Sequence, residues 1–122
     1  MSTRKATGQE AEAVAARYLQ RRGIRICDRN VFSRGGEIDL VGMDGDTVVF
    51  FEVRYRGHGS LAGAAESVSY RKQQRVLRAA SYYLHRHGLW NAPARVDVVA
   101  VAPGGLRRYK IQWIKNAIQS SA

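Results

Sequence analysis

From Gly8 onward, apolar side chains recur at Ala11, Val14, Ala15, Tyr18 and Leu19. That i, i+3, i+4, i+7, i+8 spacing predicts one buried helical face, ended by Gly23. The period then changes. "IRICDRNVF" alternates and reads as a strand, with Cys27 as a small apolar side chain within it. "EIDLVGM" and "DTVVFFEVRYR" predict two further strands joined at Asp44-Gly45, a hairpin signal. The Gly- and Ser-rich "GHGSLAGAAESVS" reads as a mobile loop over 57–69. Val76, Ala79, Ala80, Tyr83 and Leu84 then mark the apolar face of a second helix, "YRKQQRVLRAASYYLHRHG". "RVDVVAV" predicts a strand, "LRRYKIQ" a short edge strand, and "WIKNAIQ" a closing helix. The order helix, three strands, helix, two strands, helix predicts a mixed α/β sheet flanked by helices, in one domain over residues 1–122.

Two residues break the strand pattern. Asp39 lies between Ile38 and Leu40, and Glu52 between Phe51 and Val53, where a carboxylate loses hydration at high cost. With Asp44-Gly45 as the two-residue turn, paired positions sum to 89, so Asp39 faces Phe50 and Glu37 faces Glu52. This register puts Glu37, Asp39, Glu52 and Arg54 on one face. Ile38, Leu40, Val49, Phe51 and Val53 fall on the other. Two carboxylates this close repel unless a positive charge lies between them. Arg54 in an ion pair and a divalent cation such as Mg²⁺ are both compatible with the spacing.

The helices offer further groups. Glu12 and Glu10 sit at opposite margins of the first apolar stripe, and the helical pattern does not choose between them. Lys72 points with the apolar face of the second helix. A lysine in a first turn opposes the helix dipole, which favours a nearby anion such as phosphate. His87 is read as packed or capping.

Composition changes the picture in one respect. Twenty Lys and Arg against ten Asp and Glu give a net charge of +10, which points to a polyanionic partner, foremost nucleic acid. One cysteine precludes an intramolecular disulfide and a cysteine-based zinc site. The N-terminal stretch lacks a secretory apolar region, and no run of about 18 apolar residues occurs to span a membrane. The expected location is the cytoplasm, with no membrane partner. His58, His85 and His87 lack metal-ligand spacing, "GHGS" lacks a hydrolase elbow, and "AGAAES" lacks the lysine of a phosphate loop.

The stretch "GQEAEAVAARYLQRRGIRICDRNVFSRGGEIDLVGMDGDTVVFFEVRYR", continued through "KQQRVLRAASYYL" and "RVDVVAV", resembles the YraN-type family UPF0102. That family is similar to Holliday-junction resolvases and to the wider PD-(D/E)xK nucleases. The resemblance implies a restriction-endonuclease-like mixed central sheet with a helix on each side. It implies a metal-dependent endonuclease that hydrolyses phosphodiesters in DNA, branched or structured. It places the motif acids at Asp39 and Glu52, the helical glutamate at Glu12 and a downstream lysine at Lys72. Mg²⁺ or Mn²⁺ would be held by Asp39, Glu52, the carbonyl of Val53 and Glu12. Arg34, Arg56, Arg71, Lys72 and Arg75 would contact the nucleic acid. One departure matters: Arg54 stands where the motif has lysine, and arginine cannot act as a general base. The alternative expectation is therefore a weakened or inactive nucleic-acid-binding protein on a nuclease scaffold. A homodimer is left open by the sequence, since symmetric cleavage of a junction would need two sites.

Overall fold

The structure, a computed structural model, describes residues 3–106 and 108–120, with side chains from Gly8 onward. Helix α1 runs Thr3–Arg21, followed by strands β1 (Arg25–Ser33), β2 (Gly36–Asp44) and β3 (Thr47–Tyr55). Helix α2 (Tyr70–Arg86) leads to strands β4 (Ala94–Pro103) and β5 (Tyr109–Ile118). The five strands form one sheet in the order β1-β2-β3-β4-β5. β1 to β3 are an antiparallel meander, β3 and β4 pair in parallel across the α2 connection, and β4 and β5 are antiparallel. This is the restriction-endonuclease-like α/β architecture that the sequence led us to expect.

Each helix buries one stripe against one face of the sheet. Ala11, Val14, Ala15 and Leu19 of α1 pack with Leu40, Val49, Phe51, Val99 and Val101. Val76, Ala79, Ala80 and Tyr83 of α2 pack with Ile38, Val41, Val48, Phe50, Val96 and Val98. Both helices stop in the same way. Gly23 takes φ 92 while Gly23 N–H and Ile24 N–H reach back to Gln20 and Leu19. Gly88 takes φ 67 while Gly88 and Leu89 reach back to His85 and Leu84. These paired bonds satisfy the last helical carbonyls, and glycine bears the left-handed φ without strain. His87 caps α2 and stacks on Tyr83 at 4.1 Å, as expected of it. No helix of the described residues is long and apolar enough to cross a membrane.

Four expectations need correction. The hairpin loop is Gly45-Asp46, not Asp44-Gly45: Asp44 pairs with Thr47 and Leu40 with Phe51. The register therefore moves by two residues, an even shift that by itself leaves side-chain parity unchanged. Second, Cys27 is exposed. It is the extra residue of a bulge, since Ile26 pairs with Gly42 but Asp28 with Val41, and its side chain falls on the exposed side with Arg25, opposite half-buried Ile26.

Third, "WIKNAIQ" is not a helix, because β5 continues to Ile118. Its apolar residues match a helical period, but Asn116 has φ 55 and Ile118 pairs with Val96. Tertiary pairing overrides the local pattern. Arg107, within the predicted "LRRYKIQ" strand, lies outside the described residues. Fourth, 57–69 is a series of turns, closed by bonds such as Ser67 N–H to the Gly63 carbonyl at 3.0 Å. It buries Ala64 and Val68, with Val68 entering the α2 core.

One contact sets how closely the β1–β2 hairpin approaches α2. A Cβ on Gly36 would lie 2.6 Å from the Arg75 carbonyl oxygen, and backbone cannot yield as a side-chain tip can. Gly36→Ala should lower stability by about 1–3 kcal/mol, the usual cost of overpacking. Urea unfolding measures this, and an unchanged midpoint would show that the contact is not tight.

Candidate active site

The ladder between β2 and β3 ends at Leu40–Phe51. Continuing the register would pair Asp39 with Glu52. Instead, Val53 N–H donates to Asp39 Oδ2 at 2.8 Å, so a side chain takes a bond that backbone would otherwise make. The side-chain alternation of β2 also breaks here. Ile38 packs beneath α2, whereas Leu40, two residues on, packs beneath α1. The expectation that Ile38 and Leu40 share a face fails for this reason. On β1, Asn30 has φ 52 and lies between Arg29 and Val31, the partners of Leu40 and Ile38. Asparagine tolerates this left-handed conformation better than most residues, and it turns β1 in step with β2. The break gives Asp39 a position that neither core layer occupies.

Glu52 is the more deeply enclosed acid, 1% exposed against 8% for Asp39. Lys72 Nζ lies 2.9 Å from Glu52 Oε2. Among the described residues, Oε1 has no hydrogen-bond partner. A buried carboxylate oxygen without a donor costs on the order of 1–3 kcal/mol, more when charged, so something must offset it. Lys72 belongs to the first turn of α2, where Ser69 Oγ accepts from Lys72 N–H at 3.1 Å. The dipole argument for an anion near Lys72 is thus answered within the chain by Glu52. Burial disfavours the ammonium, but the bond and charge of Glu52, with the charge of Asp39, outweigh it and raise its pKa.

Glu12 on α1 is the third acid. It is half-buried, its pKa raised by burial and by the charges of Glu37 and Glu52, with the Asn30 side chain opposing. Glu10 points elsewhere, accepting a hydrogen bond from Tyr109 OH. Asp39 is the most perturbed group: burial first, then Glu52, push it up to about 8, while the bond from Val53 N–H works the other way. Acids raised by burial and by one another are characteristic of functional sites. Among the described residues, no three His, Cys, Asp or Glu side chains meet as a ready-made metal cluster. What the site offers a cation is two carboxylates on neighbouring strands, one with an unpartnered oxygen. That suits Mg²⁺ or Mn²⁺, hard ions held by one or two carboxylates with water and substrate phosphate.

Arg54 does not form the ion pair envisaged for it. Its Nε donates to Ser67 Oγ at 3.0 Å and its Nη2 to the Ser67 carbonyl at 3.3 Å, tying β3 to the turns that precede α2. Its charge is still felt by Lys72. Of the residues expected to meet nucleic acid, Arg34, Lys72 and Arg75 line one open cleft of about 560 Å³ with Phe32 and Glu37. Arg71 is exposed on α2. Arg56 is not beside them; its Nε bonds His58 at 3.1 Å. The sequence reading missed Asn30, Ser67 and Phe32. An asparagine inside an apolar alternation was the available signal for the first, and nothing local marked Ser67.

The model of the Uncharacterised protein family UPF0102 matches residues 11–101, which include all three acids and Lys72. The chain belongs to the UPF0102 family. It is 61% identical over 113 residues to a UPF0102 protein of Marinobacter nauticus, covering 93% of this chain and 92% of that one. It is 49% identical over 122 residues to a UPF0102 protein of Stutzerimonas stutzeri, covering 98% and 100%. A UPF0102 protein of Pseudomonas syringae pv. syringae is 47% identical over 120 residues, covering 98% of each. The family match thus runs from within α1 through β1, β2, β3 and α2 into β4.

Proposed function

We propose that this UPF0102 protein is a cytoplasmic, metal-dependent endonuclease acting on DNA. The observation that carries the reading is the buried Glu52, one oxygen unpartnered, beside an Asp39 raised to about 8 at the point where two strands part. A fold accepts such a pair only where something else offsets it. Asp39 and Glu52 would hold Mg²⁺ or Mn²⁺, assisted by the Val53 carbonyl and by Glu12. When bound, the ion would polarise the scissile phosphate and make water a better nucleophile. The chain's own contribution is placement: β2 and β3 fix the acids on rigid strands, and α1 brings Glu12 to them.

Lys72 takes the part that Arg54 cannot. It is the ammonium closest to the acids, and its raised pKa keeps it charged, so it would stabilise negative charge on the phosphate rather than accept a proton. Arg54 would act through Ser67, holding the turns from which α2 and Lys72 start. Arg34 and Arg75 would grip the substrate backbone, so affinity should fall steeply with salt.

A second reading has its own support. The Lys72–Glu52 pair at 2.9 Å can itself neutralise the buried acid, which would make this a nucleic-acid-binding protein without chemistry. One experiment separates the two. Labelled four-way junction, flap, single-stranded and duplex DNA are incubated with Mn²⁺, Mg²⁺ or chelator and wild-type, Lys72→Ala or Arg54→Lys protein. The endonuclease reading expects metal-dependent cutting that Lys72→Ala lowers on the order of a hundredfold or more, with a smaller loss in Arg54→Lys. Binding without cutting in any metal favours the second reading. Neither binding nor cutting would sink both for these substrates.

A further inference from the structure

Phe32 stands on the ridge between two clefts. It is 75% exposed at the end of β1 and lines both of them. On one side lies the basic cleft with Arg34, Lys72 and Arg75. On the other lies a second cleft of about 330 Å³, which shares Phe32 and Ser33 with the first and is lined by Asp28, Tyr82, Tyr83 and His87. Its wall is aromatic: His87 stacks on Tyr83, and the Arg34 guanidinium lies over Tyr82. Polar groups also face it. Tyr83 OH donates to Asp28 Oδ2 at 2.7 Å, and Arg86 completes the rim.

A cleft with aromatic faces and cationic edges, opening beside a basic groove, matches the chemistry of a nucleobase next to its phosphate. Duplex DNA presents no free base face, whereas an unpaired nucleotide does. We propose that Phe32 and the aromatic cleft take an unpaired base of the nucleic acid whose backbone lies along Arg34, Lys72 and Arg75. The substrate class is then DNA containing unpaired nucleotides at a flap, a branch or a single strand. This rests on the nucleic-acid reading above and sharpens it.

The test uses the full chain in chelator, so that binding is read without cleavage. Affinities are measured for a single-stranded oligonucleotide, a flapped duplex carrying 2-aminopurine in its unpaired arm, and a fully paired duplex. Wild type, Phe32→Ala and Phe32→Tyr are compared; because the side chain is exposed, truncation should leave the fold intact. Phe32→Ala should weaken binding of the single-stranded and flapped probes about tenfold and leave the duplex within about twofold, as loss of one stacked base requires. Phe32→Tyr should bind like wild type, and 2-aminopurine emission should fall on binding to wild type but not to Phe32→Ala. Equal losses on all three probes, or no loss on any, would overturn the inference while leaving DNA binding standing. If wild type bound none of them, the nucleic-acid reading would fall and take this one with it.

Discussion

Asp39→Asn is expected to make the metal-free protein more stable at pH 8 and, on the endonuclease reading, to cut DNA cleavage sharply. Burial, then Glu52, raises the Asp39 carboxyl from 3.8 to about 8. Between those values the folded protein holds a proton that the unfolded chain has released. Stability associated with this group is therefore complete below about pH 4 and is lost as pH rises through about 8. One unit corresponds to about 1.4 kcal/mol. Part of the rise comes from the neighbouring Glu52 charge rather than from Asp39 alone, so we expect a loss of about 2–4 kcal/mol over that window. Asparagine retains an acceptor for Val53 N–H and carries no charge, which should flatten the profile. Urea unfolding of both proteins at pH 5 and pH 8 reads the effect directly.

The same comparison with added Mn²⁺ joins stability to function. A cation held by Asp39 and Glu52 would favour their charged forms, so it should raise the wild-type midpoint more at pH 8 than at pH 5. The variant should respond little at either pH, and its cleavage should drop by on the order of 10³. A flat wild-type pH profile would refute the raised carboxyl. An undiminished response of Asp39→Asn to Mn²⁺ would remove Asp39 from the metal site.

The acids could be found in the sequence because they violate it: a carboxylate flanked by buried strand residues has few structural excuses. Their shared neighbourhood was also legible, since a register error of two leaves side-chain parity unchanged. What local pattern could not supply was the break at Asn30 and Asp39, which depends on two strands twisting together. Nor could it tell which cation meets Glu52. Arg54 is two residues away in the chain, yet Lys72, twenty residues on, arrives through the start of α2. The closing helix was misread for a related reason. "WIKNAIQ" carries apolar residues at helical spacing, and the group that makes it a strand is Asp97, on a different strand.

Asp97 should therefore be the most destabilising single position outside the apolar core. It is fully buried at the point where β5 carries two extra residues, Val96 pairing with Ile118 and Val98 with Ile114. Its carboxylate fills that interruption. Oδ1 accepts from Asn116 N–H at 2.7 Å, Oδ2 from Trp113 Nε1 at 2.8 Å, and Arg95 Nε lies 3.1 Å from each oxygen. Arg95 also reaches Asp44 at 2.9 Å, beside the β2–β3 turn. Removing one partner of a buried ion pair costs about 3–5 kcal/mol, because the remaining charge and donors are left unpaired. Asp97→Ala should cost that much in urea unfolding, and faster hydrogen exchange should appear first at 113–118, where β5 loses its anchor. Asp97→Asn, which keeps acceptor capacity but not the charge, should cost less. On the endonuclease reading, cleavage per folded molecule should persist in both variants, since no bond of Asp97 reaches Asp39, Glu52 or Lys72. A loss under about 1 kcal/mol would contradict the anchoring role; normal stability with abolished cleavage would instead make Asp97 a fourth acid of the site.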